Sequence, residues 1–325
     1  MTFCAAPFVH MVQNPNGEYR TCCMYEAPMK GRYRNIQEAF DSEENAIIRA
    51  RMKSGKPLPE CIKCDIDEQH NGKLEYSSYR QWFSKYEPNN KLQSVEFSVS
   101  NKCNFKCITC NEDYSNQFGP TIENPLPESL ENVTFLKLLG GEPFLDKRNI
   151  DLLKIAPKGI EVMIVSNCSI FPKDEVLDLL SQFKTKIVLS IDGIGEIAEF
   201  VRQGTKWTKV ERNFHKWMQT GFTTTPHYVV HALNAPYVDQ TIQWSGLDER
   251  NWSWDFLTGP KHLNMSYLPD SIKEYILSKN VTLLEPMTEF IYSNEHNEKH
   301  FMKLCKLAFN APDIMDDYIE RFYEG

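Results

Sequence analysis

The stretch NKCNFKCITCNEDY, residues 101–114, places Cys103, Cys107 and Cys110 in a C-x3-C-x2-C spacing. It follows SVEFSVS at 94–100, whose apolar and β-branched residues predict a strand, so the thiols fall in the loop after that strand. A tetrahedral structural zinc site needs four ligands, usually supplied as two separated pairs. Three thiolates in one short loop suit an iron–sulfur cluster in which one iron keeps a position for a non-protein ligand. The alternative is a structural cluster or zinc site completed from elsewhere.

From about residue 92 onward, strand candidates alternate with helix candidates. DEVLDLLSQF at 174–183 and WTKVERNFHKWM at 207–218 carry apolar residues at helical spacing. Six strand candidates with helices between them predict an α/β fold with parallel strands, open or partly closed as a barrel. The six are SVEFSVS (94–100), VTFLKLLG (133–140), IEVMIVSN (160–167), KIVLSIDG (186–193), HYVVHALN (227–234) and WSWDFLTG (252–259). Active sites of such folds lie at the carboxyl ends of the strands.

The cysteine loop resembles the signature of the radical S-adenosylmethionine (radical SAM) enzymes, which follows the first strand of a partial (β/α)6 barrel. LLGGEPF at 138–144 is similar to the GGEP element of that family, which contacts the methionine amino group of the cofactor. The resemblance therefore implies that Gly140, Gly141 and Glu142 bind S-adenosylmethionine. Glycines let a ligand approach the backbone closely, and a carboxylate suits an ammonium group. Thr109 stands where the family usually has an aromatic or bulky residue, which affects the expected packing of the adenine.

Further segments resemble later strands of the same family. LSIDGIGEIAEFVRQG at 189–204 implies that Ser190 lies near the cofactor carboxylate and that Arg202 pairs with it. Ser166 and Asn167 resemble the third-strand element, and Asn234 resembles a polar contact of the fifth. A solvated arginine at a helix end and an asparagine that ends a strand are the alternative interpretations of Arg202 and Asn234.

The resemblance also implies a mechanism. Cys103, Cys107 and Cys110 would hold three irons of a [4Fe–4S] cluster, and S-adenosylmethionine would bind the fourth. Reductive cleavage would give methionine and a 5′-deoxyadenosyl radical, which abstracts hydrogen from a peptide, sugar or nucleoside substrate in an oxidation, epimerisation or cross-linking reaction. A flavodoxin or ferredoxin would supply the electron. Methyl transfer without a radical, and a non-catalytic metal-binding or peptide-interaction module, are the alternative functions.

A second group of cysteines lies in the first fifth of the chain. Cys4, Cys22, Cys61 and Cys64, with Cys23 as the alternative to Cys22, end in a C-x2-C pair that suits zinc or an iron–sulfur cluster. Their order resembles the SPASM or twitch module of radical SAM enzymes, although that module usually follows the barrel. The resemblance implies an auxiliary [4Fe–4S] or [2Fe–2S] cluster in a small amino-terminal domain. Cys168, after the third strand candidate, is a candidate hydrogen donor to a substrate radical, with a buried apolar filler as the alternative.

Composition sets the remaining expectations. The 325 residues carry a net charge of −8, so a general nucleic-acid footprint is disfavoured. The sequence has no signal-like start and no apolar run of membrane length, so we expect a cytoplasmic protein. In such a protein, ten cysteines favour metal ligands or catalytic thiols over disulfides. We predict a cysteine-rich cluster domain at 1–75, a partial barrel at 92–260 and a helical extension at 261–325.

Overall fold

The structure is a computed structural model that describes residues 3–56, 58–70 and 77–323. The chain divides into two compact units. The first unit comprises Met1–Cys103, Glu112–Val165 and Pro172–Lys186, and the second comprises Asn104–Asn111, Ser166–Phe171 and Ile187–Gly325. The predicted cysteine loop thus contributes residues to both units.

Strands and helices alternate along most of the chain. The strands are β1 (His10–Gln13), β2 (Tyr19–Arg20), β3 (Ser94–Phe97), β4 (Lys106–Cys107), β5 (Phe135–Leu138), β6 (Glu161–Ser166), β7 (Lys184–Ser190), β8 (Arg202–Gln203), β9 (Thr223–Val230) and β10 (Ser253–Phe256). The α-helices are α1 (Ala6–Val9), α2 (Ile36–Asp41), α3 (Glu43–Lys53), α4 (Ile62–His70), α5 (Ser78–Phe83), α6 (Arg148–Ile155), α7 (Asp174–Leu180), α8 (Gly195–Val201), α9 (Trp207–Met218), α10 (Val238–Ser245), α11 (Asp270–Ser278), α12 (Leu284–Ile291), α13 (Glu298–Ala308) and α14 (Asp316–Ile319). None of these helices has the length and apolar content needed to cross a membrane.

The first unit contains the strand order β6-β5-β3-β1-β2. β1, β3, β5 and β6 pair in parallel, and β2 pairs antiparallel with β1. The register aligns Met11, Val95, Leu136 and Val162 in one row across four strands, and all four side chains are buried. Because alternate residues of a strand face opposite sides, this row forms one layer of the core.

The second unit contains the strand order β10-β9-β7, in which β9 and β10 are parallel. Its second, two-stranded sheet joins β4 to β8 in antiparallel pairing. Helix α9 buries Val210, Phe214 and Trp217 along one face, as its apolar spacing predicts. Tyr228 of β9 is also fully buried, so the core of this unit is rich in aromatic residues.

The predicted α/β class with parallel strands is confirmed, and all six strand candidates contain a strand. The prolines of PLPECIKC, residues 57–64, are typical of a loop, but the described residues 59–64 are helical. Pro59 begins a 3-10 helix that runs into α4, since proline is well tolerated in the first turn of a helix. β1 pairs with β3 within the first unit, so the sheet extends across the predicted boundary between residues 75 and 92. The division into three domains, and the closure of the strands into a partial barrel, stay predictions.

Candidate cluster-binding site

The start of the cysteine loop is fixed by the segment that follows the loop. The backbone N–H of Cys103 donates to Oδ1 of Asn116 at 3.0 Å, and its carbonyl accepts from Nε2 of Gln117 at 2.8 Å. The backbone N–H of Asn116 donates in turn to the carbonyl of Asn101 at 2.9 Å. Cys103 is therefore held through its backbone, while its side chain keeps partial exposure.

The glycine turn, residues 140–142, packs directly against this loop. The backbone N–H of Glu142 donates to the carbonyl of Lys102, the residue before Cys103, at 2.8 Å. Gly140 and Gly141 have φ angles of +86° and +44°, a region that favours glycine. A Cβ atom at Gly141 would lie 1.9 Å from the carbonyl oxygen of Lys102, so a side chain cannot be accommodated without moving the backbone. The close approach explains why this turn needs glycine.

Glu142 places a carboxylate beside the glycine turn. Its residue is 1% exposed, and Oε1 accepts a hydrogen bond from the backbone N–H of Phe144 at 3.1 Å. That contact caps the short helix Pro143–Leu145. The first unit therefore brings together Cys103 and the three predicted cofactor-binding residues 140–142.

The rest of the cysteine loop pairs with the segment that carries Arg202. Cys107 lies opposite Arg202 in the β4–β8 pairing, and the N–H of Ile108 donates to the carbonyl of Val201 at 3.0 Å. The N–H of Cys110 donates to the carbonyl of Cys107 at 3.0 Å, which closes a tight turn between the two thiols. The second unit therefore brings the backbone of Arg202 next to that of Cys107, one of the predicted cluster ligands.

Asp192 is a site residue that the sequence reasoning missed. Its Oδ2 accepts from the Arg202 guanidinium at 2.7 Å, and its Oδ1 accepts from the backbone N–H of Val229 at 2.9 Å. Both side chains of the ion pair are mostly buried, with 6% exposure for Asp192 and 14% for Arg202. Asp192 lies two residues after Ser190, the last residue of β7. Its position just past the end of a strand is the feature of the sequence that could have identified it as a candidate site residue.

Asn234 uses its amide within the protein. Its Nδ2 donates to the carbonyls of Asp192 and Val229, at 3.1 and 3.0 Å, and its Oδ1 accepts from the N–H of His231 at 2.7 Å. These contacts match the alternative interpretation, in which the residue fixes the end of a strand. A contact with the cofactor stays a prediction.

His231 is buried at the end of β9 with an unpaired Nε2, while its Nδ1 accepts from the N–H of Leu233 at 3.2 Å. Burial lowers the pKa of this imidazole to about 4, with the Arg202 cation acting in the same direction and the Asp192 carboxylate opposing it. The imidazole is therefore neutral at physiological pH.

The end of β6 is linked to the cysteine loop through Asn104. Asn167 donates from Nδ2 to Oδ1 of Asn104 at 3.0 Å, and Asn104 donates from its own Nδ2 to Oγ of Ser169 at 3.0 Å. Ser166 accepts at Oγ from the N–H of Cys168 at 3.1 Å. Ser166 and Asn167 thus fix the loop that adjoins the cysteines, and direct cofactor contacts by them stay predictions.

Cys168 is fully buried and has a left-handed backbone, with φ of 63°. Its thiol lies 3.6 Å from the carbonyl of Val210 in α9, and its own carbonyl accepts from Nδ2 of Asn213 at 2.9 Å. The side chain therefore contacts the neighbouring helix. Its role as a hydrogen donor to a substrate radical stays a prediction.

The amino-terminal cysteines line one small cavity in the first unit. Cys4, Cys22, Cys61 and Cys64 all contribute to its wall, which we call the thiol pocket; its other lining residues are Ala6, Pro7, Thr21, Met24, Tyr25, Ile48, Met52, Tyr79 and Arg80. Cys22 and Cys64 are buried, and Cys4 and Cys61 are partly exposed. The structure thus brings together the four cysteines that the sequence pattern selected.

Burial is the main influence on the pKa values of Cys4 and Cys61. It raises the pKa of Cys4 to about 11 and that of Cys61 to about 12, against the positive charge of Arg80. A hydrogen bond with Cys23, together with burial, raises the pKa of Cys22 well above its ordinary value. The thiols of Cys4, Cys22 and Cys61 are therefore protonated at neutral pH, and a metal that binds them as thiolates must displace protons.

The donor chemistry of the two cysteine groups fits iron–sulfur clusters. Thiolates are the usual protein ligands of such clusters, and each thiolate binds a different iron. Among residues 3–56, 58–70 and 77–323, no three His, Cys, Asp or Glu side chains converge on a position for a single metal ion.

Comparisons with known proteins found one family profile that the central segment matches. Residues 97–245 match the profile of the Radical SAM superfamily. A curated relative, GTP 3′,8-cyclase of Rhodopirellula baltica, is 24% identical over 121 residues, which are 34% of this chain and 33% of that protein. The chain thus matches about one third of the length of this relative.

Two solved structures align with this chain at low identity and with TM-scores below 0.5. Native anSMEcpe with bound AdoMet has a TM-score of 0.43 and 17% identity, covering 67% of this chain and 66% of that one. Streptococcus suis SuiB bound to precursor peptide SuiA has a TM-score of 0.40 and 15% identity, covering 85% of this chain and 67% of that one. The segment that matches the Radical SAM superfamily profile, residues 97–245, includes the cysteine loop and the glycine turn.

Proposed function

We propose that the protein is a radical SAM enzyme that uses Cys103, Cys107 and Cys110 to hold a [4Fe–4S] cluster. A bound cluster, once reduced, would supply one electron to the sulfonium of S-adenosylmethionine, whose C–S bond would break to give methionine and a 5′-deoxyadenosyl radical that takes hydrogen from substrate. The reductant in this proposal is a flavodoxin or ferredoxin, and the proposed location is the cytoplasm. The proposed substrates are peptides, sugars or nucleosides.

The contact between the cysteine loop and the glycine turn carries this proposal. The hydrogen bond from Glu142 to Lys102 and the close approach of Gly141 hold the turn against the start of the loop. A ligand bound at one of these elements is therefore adjacent to the other. The residues supply the chemistry that S-adenosylmethionine requires, since Glu142 offers a carboxylate for an ammonium group and the glycines expose backbone.

Arg202 and Asp192 support the same proposal from the second unit. The backbone of Arg202 pairs with that of Cys107, and the ion pair with Asp192 fixes the guanidinium, a cation that suits the carboxylate of an amino acid ligand. Because Asp192 also accepts from the backbone of β9, the ion pair is tied to the end of that strand. We propose that Arg202 binds the methionine carboxylate and that Asp192 orients it.

Product analysis tests the proposal. The protein is reconstituted with iron and sulfide without oxygen, reduced with dithionite and incubated with S-adenosylmethionine. We expect 5′-deoxyadenosine from the wild type and none from the variant with Cys103, Cys107 and Cys110 all replaced by Ala. The matched control is Cys305→Ala, a buried cysteine of α13, which should keep the activity.

The other outcomes separate the competing functions. S-adenosylhomocysteine as the product supports methyl transfer without a radical. Neither product from a protein that holds its full iron supports a non-catalytic binding module. Continued cleavage by the triple-alanine variant would refute the assignment of the loop.

We also propose that the thiol pocket binds a second metal centre, an auxiliary [4Fe–4S] or [2Fe–2S] cluster. Four cysteines in the wall of one cavity support it. The thiols are also close enough to affect one another: Cys4 raises the pKa of Cys22 and of Cys61, and Cys64 raises the pKa of Cys4 and of Cys61. Iron and zinc are measured in the triple-alanine variant. We expect this variant to contain iron, and we expect the iron to be lost when Cys61 and Cys64 are also replaced. Zinc in place of iron would identify a zinc site, and the absence of both metals would reject a metal centre.

The choice between Cys22 and Cys23 has its own test. Cys22 lies in the pocket wall, so we propose that it is the ligand. In the triple-alanine variant, Cys22→Ala should lower the metal content and Cys23→Ala should leave it unchanged. The reverse result would make Cys23 the ligand.

A further inference from the structure

A buried cation lies in the wall of the thiol pocket. Arg80 is 2% exposed and lines the pocket with the four cysteines. Its guanidinium donates to Oδ1 of Asp65 at 2.6 Å and to Oε2 of Glu68 at 2.5 Å. Because a guanidinium stays protonated throughout the accessible pH range, this charge is permanent.

The two carboxylates belong to the helix that carries one of the thiols. Cys64, Asp65 and Glu68 all lie on α4, and Cys64 and Glu68 are four residues apart, which places them on the same side of the helix. Arg80 lies on α5, so the guanidinium joins the two helices. α4 is therefore fixed relative to α5 at the turn that presents Cys64 to the pocket.

Glu68 strengthens this junction through the start of α5. Its Oε1 accepts from the backbone N–H of Ser77 at 3.1 Å, and Ser77 caps α5 by accepting from the N–H of Arg80 at 3.3 Å. One carboxylate thus holds both the backbone and the guanidinium of the second helix. Loss of the guanidinium would leave two carboxylates close together in a partly buried place, which favours separation of the helices.

The positive charge of Arg80 is also opposite in sign to the charge of a bound cluster, so the two attract. A cluster held by thiolates is anionic, and its reduction adds a further negative charge. A buried cation nearby stabilises the reduced form more than the oxidised form, because the interaction grows with the negative charge and is weakly screened in the interior. Removing the cation should therefore make the reduction potential more negative.

We propose that Arg80 is the positioning residue of the auxiliary metal centre: it holds Cys64 in the pocket wall through Asp65 and Glu68, and its charge stabilises the bound centre. The proposal rests on the second metal centre proposed above. Residues that orient metal ligands in this way typically change metal affinity by about 10- to 100-fold when they are mutated.

The test uses the full chain with Cys103, Cys107 and Cys110 replaced by Ala, so that the remaining metal belongs to the thiol pocket. Arg80→Met, Arg80→Lys and the control Arg51→Met are introduced into this parent. Arg51 is a suitable control, because it forms an ion pair with Glu60 at 3.3 Å in the same unit and lies outside the pocket wall. Metal per chain, the rate of metal release to a chelator and, for an iron–sulfur centre, the midpoint potential are measured.

We expect Arg80→Met to release metal at least tenfold faster than the parent and to have a more negative midpoint potential. Arg51→Met should match the parent in both. Arg80→Lys keeps the charge but lacks the planar fork that reaches two carboxylates, so it should keep the potential and still release metal faster. This variant also carries the test if Arg80→Met does not fold, as judged by circular dichroism.

Two results would overturn the inference in distinguishable ways. A parent that holds metal, with Arg80 variants that behave like Arg51→Met, would reject the role of Arg80 and leave the second metal centre standing. A well-folded parent that holds neither iron nor zinc would reject the second metal centre and the role of Arg80 together.

Discussion

Replacing Gly141 by Ala tests the contact between the glycine turn and the cysteine loop. The new Cβ would lie 1.9 Å from the carbonyl oxygen of Lys102, whereas Cβ atoms essentially never come within 3.0 Å of another heavy atom. The turn and the loop must then separate by more than 1 Å. The φ of +44° adds a cost of about 1–2 kcal/mol for a residue with a side chain. The 2.8 Å hydrogen bond from Glu142 to Lys102 is the contact that this separation breaks.

The expected effect on activity follows from this displacement. A misplacement of about 1 Å between a binding element and the reacting groups can cost about 100-fold in rate. We therefore expect Gly141→Ala to form 5′-deoxyadenosine at least about 100-fold more slowly than the wild type. The assay is anaerobic turnover with dithionite, normalised to the iron bound per chain.

Gly159→Ala is the matched control for this variant. Gly159 has a φ of +78° and open space where a Cβ would lie, so it shares the backbone cost without the clash. Gly159→Ala should lose stability and keep its turnover per cluster. Turnover of Gly141→Ala equal to that of Gly159→Ala would refute the proposed link between the turn and the loop.

Three further substitutions test buried ionisable groups of the two units. Asp192→Asn removes the carboxylate that pairs with Arg202, so we expect a loss of about 3 kcal/mol in the free energy of unfolding, measured with urea; an unchanged midpoint would contradict the ion pair. His231 has a folded pKa of about 4 against an ordinary value of 6.5, so its neutral form contributes stability above pH 6.5 that is lost as the pH falls towards 4. Urea titrations of the wild type should show a loss of up to about 3 kcal/mol in that window, and His231→Gln should lack this component; identical pH profiles would argue against burial of the imidazole. Lys137→Met leaves the carboxylate of Glu96 buried without the ammonium group 2.9 Å away, so thermal unfolding should reveal a loss of about 3–5 kcal/mol, and a variant as stable as the wild type would mean that the pair is solvated.

The features that the sequence predicted well are local in the chain. Helix α9 spans Trp207–Met218, the same residues as the segment identified from apolar spacing, because one continuous pattern encodes it. The three cysteines of the loop and the glycines of the turn were also readable, since a short spacing and a short motif identify them. Local signals of this kind located the six strand candidates between residues 94 and 259.

The features that the sequence did not predict depend on contacts between distant residues. β1 was missed because its four residues are stabilised by pairing with β3, which lies more than 80 residues later. The partnership of Arg202 with Asp192, and the backbone pairing of Arg202 with Cys107, likewise require the folded chain. Arg80 carried no signal of its own, since its two carboxylate partners become visible only when α4 and α5 are brought together.

Electron paramagnetic resonance of the reduced protein tests the central claim most directly. The wild type, reduced with dithionite without oxygen, is measured with and without S-adenosylmethionine, beside the triple-alanine variant of Cys103, Cys107 and Cys110. The proposal predicts a [4Fe–4S]⁺ signal from the loop that changes its shape when S-adenosylmethionine binds and that is missing from the variant. A wild-type spectrum that is unaffected by S-adenosylmethionine, or one that the variant reproduces in full, would contradict it.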